Sequence, residues 1–262
     1  MIKLSACIEM LFSEVGFYDR FEAAKKSGLN AVEFWGWDNK DIGRIKEEVA
    51  KNNLTLAACC VSGKDNPLAD EFNKKRLVYR DGIEAFKEAV KESIPVADEL
   101  GVKTLIVTVG QERNDVTRYE QHTNIVLALK GAAPILENAG ITLVVEPLNV
   151  LCDHRGYFLD SSYEAFGIAE EVGSPNVKIL YDIYHQQITE GNIIPTISKN
   201  IDLIGHFHLA DIPGRHEPGT GELNYPNIFK VIGSLGYKKF VGMEYAATKP
   251  TADTVKSTLA ML

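Results

Sequence analysis

Short apolar, β-branched runs alternate along the chain with longer stretches in which apolar residues recur every three or four positions. The runs at 3–8, 31–35, 55–61, 104–109, 141–146, 177–182, 203–209 and 240–244 predict eight strands. Between them, 18–27, 41–52, 71–100, 116–139, 163–172 and 226–235 predict helices. One phrase recurs where a helix gives way to a strand: a glycine, one or two polar residues, then an apolar run, as in SGLNAVEF, LGVKTLIV, AGITLVVE and LGYKKFVGME. The glycine supplies the left-handed turn that closes the helix. Strands alternating with helices imply parallel βαβ units. Eight such pairs fit a (β/α)8 TIM barrel better than an open doubly wound sheet, which more often stops at about six strands. No linker, low-complexity tract or composition shift divides the chain, so 1–262 is expected to be one α/β barrel domain.

Composition narrows the classes. With 36 Asp+Glu against 28 Lys+Arg, the net charge of −8 argues against a nucleic-acid binder, which needs a basic face. No apolar run approaches the roughly 18 residues of a membrane span. The opening MIKLSACIEMLF is too short and, at Glu9, too acidic for a signal-peptide core. Four cysteines without a CxxC spacing read as reduced thiols of a cytoplasmic protein.

The chemistry is expected at the carboxyl ends of the strands, where TIM barrels carry their active sites. Strands five to eight run out in VVEPLN, ILYDIYH, GHFHLAD and GMEYA. Each delivers one residue able to bind a metal: Glu146, Asp182, His208 and Glu244. Alternation places Val144 with Glu146, Leu180 with Asp182, His206 with His208 and Gly242 with Glu244. Clustered carboxylates repel one another, and a divalent cation removes that conflict. An oxygen-rich set with one nitrogen favours Mn²⁺ or Mg²⁺, with Co²⁺ or Zn²⁺ as alternatives. Ligands on consecutive strands are expected to differ in height, since each layer of an ideal barrel draws on alternate strands. Two carboxylates astride a cation suit proton movement beside a carbonyl through an enediolate, giving isomerisation or epimerisation according to where the proton returns.

Other residues surround this set. His185 is either a partner for a substrate oxygen or a solvated loop side chain. Arg215, in PGRHEP, offers bidentate hydrogen bonds to a carboxylate or hydroxyl terminus, or else an ion pair with Glu217 or Glu222. Trp35 and Trp37 either wall the pocket or pack, and Cys7 reaches the pocket floor without a histidine to activate it. His206, one layer below His208, reads as a core histidine; His122, His154 and His216 read as surface or loop residues.

At these residues the chain resembles the xylose-isomerase-like barrels and, within them, the hydroxypyruvate isomerase family. MLFSEVGFYDRFEAAKKSGLNAVEFW is similar to that family's opening, and RHEPGTGELNYPNIFKVIGSLGY followed by GMEY to its closing segment. The resemblance implies Glu146, Asp182, His208 and Glu244 as metal ligands, Glu146 and Glu244 as the acid/base pair, and His185 and Arg215 as substrate contacts. The chain departs from the pattern with His208 in place of glutamine, a feature of the related ketose 3-epimerases. It departs again with Glu9, where the pattern has a small polar residue. A carboxylate there is expected to repel an anionic substrate and suit a polyol hydroxyl. The resulting expectation is a metal-dependent isomerase of a small hydroxy-carbonyl or sugar; the alternatives are a ketose 3-epimerase or a lyase acting on an oxidised sugar. The expected partner is a small-molecule substrate, and barrels of this kind often form homo-oligomers. Endonuclease IV shares the superfamily fold, but its chemistry asks for many histidines and a basic surface, which six histidines and a charge of −8 fit poorly.

Overall fold

Which side chains enter a barrel depends on where each strand sits against its neighbours. The computed structural model describes residues 2–262. Its strands are β1 Lys3–Cys7, β2 Ala31–Glu33, β3 Thr55–Leu56, β4 Cys59–Cys60, β5 Thr104–Val107, β6 Thr142–Val145, β7 Val177–Asp182, β8 Ile204–Leu209 and β9 Phe240–Met243. All pair in parallel, in the order β3-β2-β1-β9-β8-β7-β6-β5-β4. The two ends of that order lie in one short segment, so the sheet curls into a nearly closed TIM barrel.

That segment is the predicted third strand, 55–61, and it is broken. β3 pairs with β2 and β4 with β5, and the chain steps from one neighbour to the other at Ala57 and Ala58. A second irregularity answers the height problem. The β7–β8 register shifts between Ile179 and Leu180, which brings Asp182 opposite His208, and His208 is in turn opposite Gly242 on β9.

The barrel interior is divided by chemistry. Ala58, Ile106, Val144 and Leu180 form a small apolar cluster against Cys60. Ser5, Glu33, His206 and His208 are buried polar groups from β1, β2 and β8. The larger apolar core includes Phe21, Val32, Phe86, Leu105 and Phe207, drawn from strands and from helices packed outside them.

Helix ends follow the glycine phrase. The helix Ile83–Leu100 closes on Gly101 (φ 70°), and Arg118–Ala139, opened by a Thr117–Glu120 capping box, closes on Gly140 (φ 62°). The predicted helix over 71–100 is instead two, Pro67–Glu71 and Ile83–Leu100, with irregular chain and a 3-10 turn at Arg80–Gly82 between them. Phe72, Leu77 and Val78 are all buried there, and their spacing matches no single helical face. Helices at Ile183–Thr189, Ile193–Asn200 and Thr251–Leu259 were not predicted from periodicity. Among the described residues no helix is long and apolar enough to cross a membrane.

Candidate active site

Glu146 and Glu244 each stand one residue beyond a strand, Asp182 ends β7 and His208 lies one residue before the end of β8. The four are buried, and one ligand-type atom from each lies within 4.8 Å of the others. His208 Nδ1 is 3.2 Å from Glu146 Oε1 and 3.5 Å from Glu244 Oε2, while Nε2 is 2.7 Å from Glu33 Oε1. A proton on Nε2, donated to Glu33, leaves the Nδ1 lone pair directed into the cluster, the arrangement that orients a metal-binding histidine.

Glu33 therefore sets the geometry of His208 from behind. Its other oxygen accepts from Ser5 Oγ at 2.7 Å and lies 3.0 Å from His206 Nε2, so His206 is a satisfied core histidine. Room for Glu33 comes from Gly242, where a Cβ would stand 2.8 Å from both Glu33 Cδ and His208 Cδ2. Burial disfavours the Glu33 carboxylate, but His206 and His208 outweigh it and hold the group well below the usual carboxylate range. Burial likewise disfavours the His208 imidazolium, and Glu244 and Glu33 more than offset this, raising its pKa well above the ordinary histidine value. An imidazolium thus holds the acids together, and a cation bound among them would displace its Nδ1 proton.

The other members of the cluster are held differently. Asp182 Oδ1 caps the helix Ile183–Thr189, accepting from the backbone N–H groups of Tyr184 at 2.8 Å and His185 at 3.3 Å. Burial is the chief cause of its raised pKa. Glu244 Oε1 accepts from Trp35 Nε1 at 2.8 Å and Cys7 Sγ at 3.6 Å, and its Oε2 from Arg215 Nη2 at 2.5 Å. Burial raises the Glu244 pKa, but His208 and Arg215 bring it below the ordinary value.

His185 is fully buried, and its protonation state follows from Asn149. Asn149 Oδ1 accepts from the backbone N–H of Cys152 at 2.9 Å, which orients the amide. Its Nδ2 then donates to Asp153 Oδ2 at 2.9 Å and to His185 Nδ1 at 2.6 Å. The proton of His185 is thereby assigned to Nε2, which has no hydrogen-bond partner and lies 3.6 Å from Asp182 Oδ2. Burial, then the charge of Arg215, pushes the His185 pKa down to about 3. The ring is a neutral N–H donor beside the carboxylates.

The surrounding residues differ from expectation in several places. Trp35 is 46% exposed at the mouth, whereas Trp37 is buried with its indole N–H on Ser93 Oγ at 3.1 Å. Trp37 is therefore packing and not pocket wall. Cys7 is buried beside Glu244, and burial followed by the Glu244 charge pushes its thiol pKa up, away from thiolate chemistry. Arg215 pairs with neither Glu217 nor Glu222: the former holds Thr248 and the latter Gln187, which leaves the guanidinium to Glu244. Glu9 does not stand as a free carboxylate. It is 2.7 Å from Lys40, whose ammonium sits over the Phe17 and Phe34 rings. His122 lies between Glu164 and Glu171, and His216 faces the Ala246 carbonyl. His154, expected as a surface or loop residue, lies in irregular chain and packs edge-on against His185 with ring centroids 5.2 Å apart. Glu33 is the residue behind the cluster that strand-end reading passes over. Its signal is there: an acid within AVEFW, in phase with Trp35.

Comparison with known proteins places this geometry. The family model for xylose isomerase-like TIM barrels matches residues 21–262. Hydroxypyruvate isomerase of Escherichia coli is 37% identical over 254 residues, covering 97% of this chain and 96% of the relative. The 2-oxo-tetronate isomerase of Cupriavidus necator is 33% identical, covering 97% and 95%. A Brucella melitensis crystal structure described as an AP endonuclease, family 2, superposes with a TM-score of 0.91 at 30% identity, covering 99% of each chain. An L-ribulose 3-epimerase structure shares the fold, with a TM-score of 0.80 at 20% identity over 99% of this chain and 93% of that one. The protein is an enzyme of isomerase type. The chain belongs to the hydroxypyruvate isomerase family of xylose isomerase-like TIM barrels.

Proposed function

We propose that the protein is a divalent-metal-dependent isomerase of a small α-hydroxy carbonyl compound, with Glu146, Asp182, His208 and Glu244 as the metal ligands. The observation that carries this reading is the convergence of three carboxylates and one pre-oriented imidazole lone pair within 4.8 Å, beside a neutral histidine N–H. The donor set suits Mn²⁺ or Mg²⁺, and a bound ion would act as a Lewis acid on the substrate's carbonyl oxygen.

The chain's own residues divide the remaining work. Glu244 accepts from Trp35, Cys7 and Arg215, and those bonds favour its ionised form. Glu146 has only His208 against its carboxylate, so it is the freer base and takes the proton alpha to the carbonyl. The electron pair left on carbon becomes the enediolate double bond, and the developing oxygen charge is met by the His185 Nε2–H and the Arg215 guanidinium. Returning the proton to the neighbouring carbon, with the hydroxyl proton passing to the former carbonyl oxygen, completes an aldose–ketose exchange. Delivery of a proton to the opposite face of the same carbon would be epimerisation. The exposed Trp35 ring gives the mouth an apolar wall.

The four unpaired cysteines accord with a reducing, cytoplasmic setting. An endonuclease activity, which the description of the Brucella structure names, draws no support from a net charge of −8. The test is to supply hydroxypyruvate and neutral ketoses to the chelator-stripped and Mn²⁺-reconstituted protein and to its Glu146→Gln and Glu244→Gln variants. The account expects turnover that needs both metal and Glu146. Equal turnover by stripped protein, or by Glu146→Gln, contradicts it.

A further inference from the structure

Trp35 is nearly half exposed at the mouth, yet its indole N–H is committed to Glu244 Oε1 at 2.8 Å. An exposed aromatic side chain keeps one position only where the backbone that carries it is fixed. That backbone is the segment 34–41, which joins β2 to the helix Ile42–Lys51. It is pinned on both sides of the indole. The Trp35 carbonyl accepts from the Cys60 N–H at 3.2 Å, and the Asp38 carboxylate accepts from Ser62 Oγ at 2.5 Å.

Lys40 supplies the remaining fastening. Its side chain is only 10% exposed, and its ammonium donates to the Gly36 carbonyl at 2.7 Å and to Asn39 Oδ1 at 3.1 Å, and pairs with Glu9 Oε1 at 2.7 Å. Three N–H donors thus meet three acceptors. The same group lies 5.0 and 5.5 Å from the Phe17 and Phe34 ring centroids. Gly36 directly follows Trp35, so its carbonyl is the point at which Lys40 fixes the turn behind the indole. The turn is tight. A Cβ on Gly36 would stand 2.6 Å from Asp38 Oδ1, and the backbone N–H of Lys40 closes on the Trp37 carbonyl at 3.1 Å. Glu9 lies just beyond β1, so the ion pair ties the exit of β1 to the exit of β2.

We propose that Lys40, held by Glu9, is a positioning residue for the reaction: by fixing the Gly36 carbonyl it keeps the Trp35 indole on Glu244, and so fixes how that carboxylate is presented to the rest of the cluster. This rests on the reading of Glu244 as part of the reacting site. Glu9 then acts away from the substrate, as the counter-charge that keeps a nearly buried ammonium in place.

The chain has two tryptophans, so ¹⁵N–¹H NMR of the Mg²⁺-reconstituted protein shows two indole N–H signals, which Trp35→Phe assigns. Lys40→Met leaves Glu9 without its cation, so Lys40→Met/Glu9→Gln, which removes both charges, is measured beside it. In both, the Trp35 signal should move upfield and its proton should exchange faster with solvent, while the Trp37 signal stays. Lys40→Arg should restore part of the change. Loss of a hydrogen bond to a charged group predicts kcat for hydroxypyruvate lower by about tenfold in Trp35→Phe and in the Lys40→Met variants, with KM changed by less than about twofold. Because Lys40 acts through Trp35, adding Lys40→Met to Trp35→Phe should lower kcat little further. An unmoved Trp35 signal in Lys40→Met/Glu9→Gln, or losses that multiply in the combined variant, overturns the proposal. A wild type that turns over no substrate would refute the isomerase reading instead, and the Trp35 signal would still decide whether Lys40 holds the indole.

Discussion

Replacing Glu33 with glutamine keeps the shape of the side chain while removing the charge that orients His208. In the wild type one Glu33 oxygen takes His208 Nε2–H at 2.7 Å; the other takes Ser5 Oγ at 2.7 Å and faces His206 Nε2 at 3.0 Å. Glutamine can still present its carbonyl to His208, with its amide towards Ser5 and His206, both of which can accept. The fold should therefore survive. What changes is the bond behind the proposed metal ligand, from charge-assisted to neutral. Loss of such an outer partner weakens metal binding about 10- to 100-fold, or about 1.4–2.8 kcal/mol. A second effect runs the other way. Glu33 also helps raise the His208 pKa, so the variant's imidazole gives up its Nδ1 proton more easily. The full deficit should appear at high pH, where His208 is neutral in both proteins, and shrink as pH falls. Competitive Mn²⁺ titration against a chelator across a pH series measures both. Equal affinity at high pH, or a deficit that grows on acidification, would refute the role given to Glu33.

Gly242→Ala should strike the same pair by crowding. A methyl 2.8 Å from Glu33 Cδ and His208 Cδ2 cannot be housed without displacing one of them, so thermal or denaturant unfolding should show about 1–3 kcal/mol lost, with metal affinity reduced alongside. A neutral His185 makes stability depend on pH. Its pKa of about 3 in the folded protein lies below the roughly 6.5 of an unfolded histidine, so the unfolded state takes up the proton first and this contribution, complete above pH 6.5, is lost as pH falls towards 3. Between about pH 6.5 and 4.5, His185→Gln should flatten the fall in unfolding free energy by up to about 1.4 kcal/mol per pH unit; an unchanged slope would mean the ring is not held neutral.

Much of this architecture could be read from the chain because its cues are local. A glycine that closes a helix, a β-branched run and an acid at the end of that run all lie within a few residues, so the positions of Glu146, Asp182, His208 and Glu244 follow from alternation. The rest depends on partners far away in sequence. The break at Ala57–Ala58 exists because one segment must serve both β2 and β5, and the register shift at Ile179 because β7 must meet β8 at the height of His208. Glu9 loses its expected influence to Lys40, and Arg215 chooses Glu244, 29 positions on, over the nearer Glu217 and Glu222. The charge pattern over 71–100 reads as one helix, and the Phe72, Leu77 and Val78 spacing is the cue against it.

The central claim is that a divalent cation and Glu146 move a proton next to a carbonyl. Its most direct test is proton NMR in D₂O on hydroxypyruvate with chelator-stripped and with Mg²⁺-reconstituted protein. Deuterium should enter at the carbon next to the carbonyl, with tartronate semialdehyde appearing, only in the reconstituted sample. Deuterium uptake or product formation at the same rate without the metal would contradict it.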